Sequence, residues 1–190
     1  MNQCKSIALI GYRATGKTFL GRILAKEVQL PFVDMDEVLA DSLGMSIHEW
    51  VSSFGWESFR QAESKLLQEL AGRPPMVLAT GGGVVLSASN RMVLRRHFRV
   101  ILLQASLETI CERLGNDPAT PSQRPALTNL RLEEEIRSLL ASRLPLYQET
   151  AHFSLLSDVD SPTVTVQKIL GFLEGELSDA PCGDFTNSRE

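Results

Sequence analysis

The chain has 190 residues, 43% of them apolar and 22% charged, with a formal net charge of −4. That length suits one α/β domain with a sizeable core, and the composition is that of an ordinary globular protein. The negative balance argues against a nucleic-acid-binding surface, and no apolar run is long enough to span a membrane. Cys4, Cys111 and Cys182 are scattered and contain no C-x-x-C pair, which suits neither a zinc cluster nor a disulfide framework. The N-terminus runs straight into the first strand with no signal peptide, so a cytoplasmic protein is expected.

The first predicted strand is Ser6 to Ile10. It leads into Gly11-Tyr12-Arg13-Ala14-Thr15-Gly16-Lys17-Thr18, which fits G-x-x-x-x-G-K-[ST], and then into a helical stripe of Leu20, Ile23, Leu24 and Val28. Strand, glycine-bounded loop and helix are the context a phosphate-binding loop requires. Successive backbone N–H groups of the loop form an anion nest, and the helix beginning near Gly16 adds its dipole and unpaired N–H groups, that of Phe19 included. Lys17 reaches β- and γ-phosphates, and Thr18 sets its hydroxyl on Mg²⁺. Many such loops carry a glycine at position 14. Alanine resists positive φ, so the loop is expected to form provided position 14 does not need that region.

Pro31 ends the first helical segment, and Phe32-Val33-Asp34 reads as a second strand. Residues 37 to 72 read as mostly helical. Gly44 serves as a C-cap, Ser46 and Glu49 form a capping box, and Phe54-Gly55 makes a break before a helix from Glu57 to Leu70. Met76 to Ala79 is a third strand, followed by Thr80-Gly81-Gly82-Gly83 and a helix from Ser87 to Arg96. Val100 to Leu103 is a fourth, and Ser106 to Leu114 is helical. Residues 115 to 128 are rich in Pro, Thr, Ser, Asn and Asp, of the length kept for lids or disorder. A helix is expected from Leu130 to Leu144, just ahead of Pro145, then a strand from His152 to Leu156 and a helix from Val164 to Leu173. Residues 175 to 190 are polar and aperiodic, and disorder is expected there. The β/α alternation implies one parallel sheet with helices on both faces.

The chemistry narrows from the loop outward. No asparagine is followed by lysine, which removes the guanine signature N-K-x-D, and the fourth strand runs into Gln104 rather than an acid. Asp34 and Asp36 stand at a strand end, where open α/β sheets place ligands. One can organise water around Mg²⁺ and the other can accept a substrate proton; alternatively both are solvated, one capping the next helix. Arg60 and Arg143 could fork onto a carboxylate, or pair at the surface with Glu57, Glu63 or Glu149. Gly81 to Gly83 either let backbone N–H groups approach a ligand or make a flexible turn. Arg124 could close onto transferring phosphates.

Phe32-Val33-Asp34-Met35-Asp36, Phe54-Gly55-x-x-x-Phe59-Arg60-x-x-Glu63, Gly81-Gly82-Gly83, Arg124-Pro125 and Arg143-Leu144-Pro145-Leu146-Tyr147 follow the phosphate loop in the same order as in shikimate kinases. The resemblance covers residues 6 to about 173. It implies a three-layer P-loop kinase fold, with a five-stranded parallel sheet in order 2-3-1-4-5 and a mobile lid. Residues 1–174 would form the domain, with a substrate-binding helical segment near 35–72 and the lid near 115–128. It implies transfer of the ATP γ-phosphate to the 3-hydroxyl of shikimate, on the way to chorismate and aromatic amino acids. By the resemblance Gly11, Ala14, Thr15, Gly16, Lys17, Thr18 and Phe19 bind ATP, joined by Arg113 near adenine and the lid Arg124. Thr18 and Asp34 hold Mg²⁺, and Asp36 is the proton acceptor. Arg60 and Arg143 clamp the shikimate carboxylate, while Gly81, Gly82 and Gly83 bind ring hydroxyls. Lys17, Asp36 and Arg124 are the catalytic set. A monomer is expected, with no nucleic-acid or membrane partner. The rivals are a gluconate-type sugar-acid kinase and a catalytically silent nucleotide-binding regulator.

Overall fold

The computed structural model describes residues 5–116 and 132–178. Its elements are β1 (Ser6–Ile10), α1 (Lys17–Glu27), β2 (Phe32–Asp34), α2 (Met35–Leu43), α3 (Ile47–Ala71), β3 (Val77–Ala79), a 3-10 turn (Val84–Leu86), α4 (Ala88–His97), β4 (Phe98–Gln104), α5 (Leu107–Asn116), α6 (Leu132–Thr150), β5 (Phe153–Leu156) and α7 (Pro162–Ser178). The five strands make one parallel sheet in the order β2-β3-β1-β4-β5. This is the order the resemblance implied.

Successive side chains on a strand point to opposite faces, and the sheet divides its apolar residues accordingly. Ala8, Ile10, Leu78, Val100 and Leu102 pack beneath α2, α3, α4 and Tyr147 of α6. Ile7, Leu9, Val77, Ile101 and Leu103 pack against α1 and α7. Burial on both faces explains why the central strands read as continuous apolar runs instead of alternating ones. Asp34 lies in register with Ala79, and Ile10 with Leu102. The loops after β1, β2 and β3 therefore leave the sheet side by side at its carboxyl edge, where such sheets bind ligands.

Several local expectations change. α6 does not stop before Pro145 but runs through it to Thr150. A proline lacks the N–H for one helical bond, yet Tyr147 is buried and Leu146 packs on the core, so tertiary contacts carry the helix past it. The expected break at Phe54-Gly55 is present: α3 is two helices joined across a kink, with Gly55 outside helical geometry (φ 79°, ψ 167°). α5 takes in Gly115 and Asn116, and α7 reaches Ser178. The residues at 115–116 and 175–178, expected as the starts of a lid and of an unstructured tail, are helical. The rest of both stretches, with Arg124, lies outside the described residues. No helix among the described residues is long and apolar enough to cross a membrane.

Candidate active site

The loop between β1 and α1 needs an unusual backbone. Gly11 has φ 140°, and a Cβ there would stand 2.2 Å from the Leu103 carbonyl oxygen, so only glycine fits. Gly16 caps α1 at φ 87°. Ala14 adopts φ 62°, so the loop forms although position 14 does take the left-handed conformation that alanine resists. That conformation costs roughly 1 kcal/mol for an L-residue. It is held from two sides. Arg113 Nη1 donates to the Ala14 carbonyl at 2.9 Å, and the Ala14 methyl packs with Tyr12, Ile110 and Leu114. One residue on, Ser157 Oγ donates to the Thr15 carbonyl at 2.8 Å, while Thr15 Oγ1 donates to the Tyr12 carbonyl at 2.8 Å.

The loop's hydrogen-bonding capacity is divided by direction. The carbonyls of Gly11, Tyr12, Ala14, Thr15 and Gly16 are engaged inside the protein. The N–H groups of Ala14, Thr15, Gly16, Thr18 and Phe19 have no protein acceptor among the described residues; the first helical bond is that of Leu20 to Gly16. Donors converging without acceptors are what an anion needs. Lys17 sits in the same concavity, its ammonium donating to the carbonyls of Gly11 at 2.9 Å and Tyr12 at 2.7 Å. The cavity over the loop measures about 680 Å³, and its walls include Arg13, Lys17, Thr18, Asp34, Arg113 and Asp160.

Asp34 has two tasks. Oδ1 accepts from the N–H groups of Asp36 at 3.0 Å and Glu37 at 3.4 Å, capping α2. Oδ2 accepts from Thr18 Oγ1 at 2.6 Å. The capping reading and the site reading are both true of the same carboxylate, because its two oxygens face different ways. Asp36, one step into α2, lines the nucleotide-sized cavity and also a second, smaller one.

The second cavity, about 40 Å³, is walled by Arg13, Asp36, Arg60, Glu63, Arg143 and the three glycines. Arg60 Nη1 donates to Glu63 Oε2 at 2.6 Å, and the guanidinium lies 5.0 Å and 5.3 Å from the rings of Phe59 and Trp56. Arg143, only 7% exposed, donates Nη1 to the Gly82 carbonyl at 3.1 Å. At two of the glycines a side chain would press on the charged groups of the cavity and displace them. A Cβ on Gly83 would stand 2.2 Å from Arg60 Nη2, and one on Gly81 would stand 2.8 Å from both Asp36 Oδ1 and Glu63 Oε1.

Electrostatically the small cavity is cationic with two acids. Glu63 is 1% exposed, its Oε1 has no hydrogen-bond partner among the described residues, and burial raises its pKa against the lowering pull of Arg60 and Arg143. Arg13 reaches Glu135 on α6 at 3.7 Å and faces the Tyr12 ring at 5.6 Å. Tyr12, Arg13, Ser157 and Tyr147 were not singled out from sequence as site residues. Tyr147 and Glu63 were at least present in the quoted patterns. Ser157, in a loop after an edge strand, carries no sequence signal at all.

The structure thus gathers Ala14, Gly16 to Phe19, Asp34, Asp36 and Arg113 around one cavity and Arg60, Gly81 to Gly83 and Arg143 around its neighbour, while Gly11 and Thr15 lie in the loop behind the first, the Gly11 carbonyl accepting from Lys17 and Thr15 buried. Arg124 cannot be placed, being outside the described residues. A family model described as Shikimate kinase matches residues 13–174. Shikimate kinase 2 of Yersinia pestis (strain Pestoides F) is 43% identical over 173 residues, 91% of this chain and 98% of that one. Among solved structures, a shikimate kinase from Acinetobacter baumannii in complex with shikimate is similar with a TM-score of 0.84 and 32% identity, over 90% of this chain and 94% of that one. A gluconokinase from Sinorhizobium meliloti 1021 reaches a TM-score of 0.55 at 18% identity over 94% and 96% of the two chains, a likeness of fold alone. With the paired cavities, the family match and relatives that align nearly end to end, the chain belongs to the shikimate kinase family.

Proposed function

We propose that this kinase moves the γ-phosphoryl group of ATP to the 3-hydroxyl of shikimate across the junction of its two cavities. The observation that carries the mechanism is that Asp36 and Arg13 line both of them. A phosphate held by the loop and a hydroxy acid held by the arginines would meet there. The Asp36 carboxylate accepts the proton of the attacking hydroxyl, a new O–P bond forms, and the bond from γ-phosphorus to the bridging oxygen breaks, leaving ADP. The loop N–H groups, Lys17 and Arg13 offset the charge on the transferring group. Arg60 and Arg143 fork onto the substrate carboxylate, and the Gly81 to Gly83 backbone meets its hydroxyls.

The residues suit Mg²⁺. A hydroxyl and a carboxylate oxygen 2.6 Å apart at the phosphate end of the loop form a hard-oxygen donor pair, and this ion is held by few protein ligands with phosphates and water. Thr18 would ligate it and Asp34 would hold its water shell, supplying charge neutralisation on the phosphates. We assign Arg124 the lid role by resemblance, and Arg113 a place beside adenine in addition to its bond to Ala14. The reading includes a single kinase domain over residues 1–174, a monomer in the cytoplasm and no nucleic-acid or membrane partner.

The test is ADP release from ATP and Mg²⁺ with shikimate, with gluconate, and with neither. Strong stimulation by shikimate alone is expected. Stimulation by gluconate would move the chain to the sugar-acid kinases, and no stimulation by either, with ATP still bound, would make it a regulator.

A further inference from the structure

We propose that Tyr147 is a positioning residue for the acid-binding cavity, its phenol fixing the Gly82 peptide so that the three-glycine backbone presents its N–H groups to the substrate. The inference rests on reading that backbone as the hydroxyl-binding surface. Tyr147 stands four residues after Arg143 on α6, so helical geometry sets both side chains on one face. Both end on one atom. The Gly82 carbonyl oxygen accepts from Arg143 Nη1 at 3.1 Å and from the Tyr147 hydroxyl. A carbonyl oxygen has two lone pairs, and these donors occupy both.

The neighbouring carbonyls are also taken. Gly81 accepts from the N–H of Val84 at 3.2 Å, and Gly83 from that of Leu86 at 3.0 Å. Every carbonyl of the triplet is therefore engaged within the protein, while the three N–H groups find no acceptor among the described residues. Three consecutive glycines have the widest backbone freedom a chain can have, so the presented geometry must come from outside the triplet. Arg143 cannot supply it alone. It lines the cavity, and a bound carboxylate competes for its guanidinium. Tyr147 lines neither cavity and is 2% exposed, so its bond is not open to exchange with substrate or solvent. Burial also pushes the phenol up to about 12, which keeps it a donor at every working pH.

Tyr147→Phe retains the ring and removes only the donor. The expected result is a shikimate KM raised roughly tenfold, an ATP KM within about twofold and a nearly unchanged melting temperature. A shikimate KM within twofold of the natural protein overturns the proposal. So does a parallel rise in both KM values with a large fall in melting temperature, the pattern of a structural role alone. Tyr147→Leu, which also loses the ring, should repeat the KM split at a lower melting temperature. Gly81→Ala tests the underlying reading separately. If it leaves the shikimate KM unchanged, the backbone surface itself is wrong; if it raises that KM while Tyr147→Phe does not, only the role of Tyr147 fails.

Discussion

Arg113, near the end of α5, donates Nη1 to the carbonyl of Ala14 at 2.9 Å and so braces the one loop alanine held at φ 62°. Relaxing that residue toward negative φ would release roughly 1 kcal/mol of strain and would turn its peptide out of the anion nest. Arg113→Ala should therefore weaken ADP binding about fivefold. Adding Ala14→Gly, which makes the left-handed backbone easy, should restore at least half of that loss on a logarithmic scale. If Arg113 acted through contact with the nucleotide alone, there would be no such rescue. Calorimetric titration of the four proteins of the cycle decides between the two.

Asp36 is the carboxylate on which both cavities border. Asp36→Asn keeps size and hydrogen-bonding shape but removes the proton acceptor. Turnover should fall by about 10² to 10⁴, with the affinity for ATP little changed. An Asp36→Asn enzyme working near the natural rate would show that the hydroxyl needs no base from this residue.

Arg143 has one guanidinium arm on Gly82 and borders the acid cavity. Arg143→Ala should raise the shikimate KM by roughly 30-fold or more, about 2 kcal/mol, and the ATP KM far less. Arg143→Lys keeps the charge but not the fork, so it should recover little of the loss. Equal rises in the two KM values would remove the clamp.

What was legible in the sequence was local. The phosphate loop, the aspartates two apart and the Ser46–Glu49 capping box are each fixed by residues within a few positions, and the sheet order came with the family those motifs resemble. What was not legible is set by distant partners. Ala14 adopts its backbone beside Arg113, 99 residues away, and Thr15 is tied to Ser157, 142 residues away. The helix expected to end at Leu144 runs on through Pro145 for the same reason, since the packing of Leu146 and Tyr147 on the core outweighs one lost helical bond. Glu63 lies between these cases. Its i+3 spacing from Arg60 predicts the pair, but nothing local shows that the pair would be buried against the glycine triplet.

That burial gives Glu63 a pH signature of definite sign. Its pKa is raised, chiefly by desolvation, although Arg60 and Arg143 pull it down. A carboxyl whose folded pKa exceeds its unfolded value binds more protons folded than unfolded between the two. Its contribution to stability is thus fully present below the unfolded value of about 4.3 and is lost as pH rises through the folded one. Glu63→Gln cannot titrate. The unfolding free energy of the natural protein minus that of Glu63→Gln should be most favourable to the natural protein near pH 4. It should then decline as pH rises, at no more than about 1.4 kcal/mol per unit, and level off once folded Glu63 has ionised. Denaturant unfolding of both proteins from pH 4 to 8 measures this difference. A difference that grows with pH would mean that Arg60 outweighs burial and that Glu63 stays charged throughout.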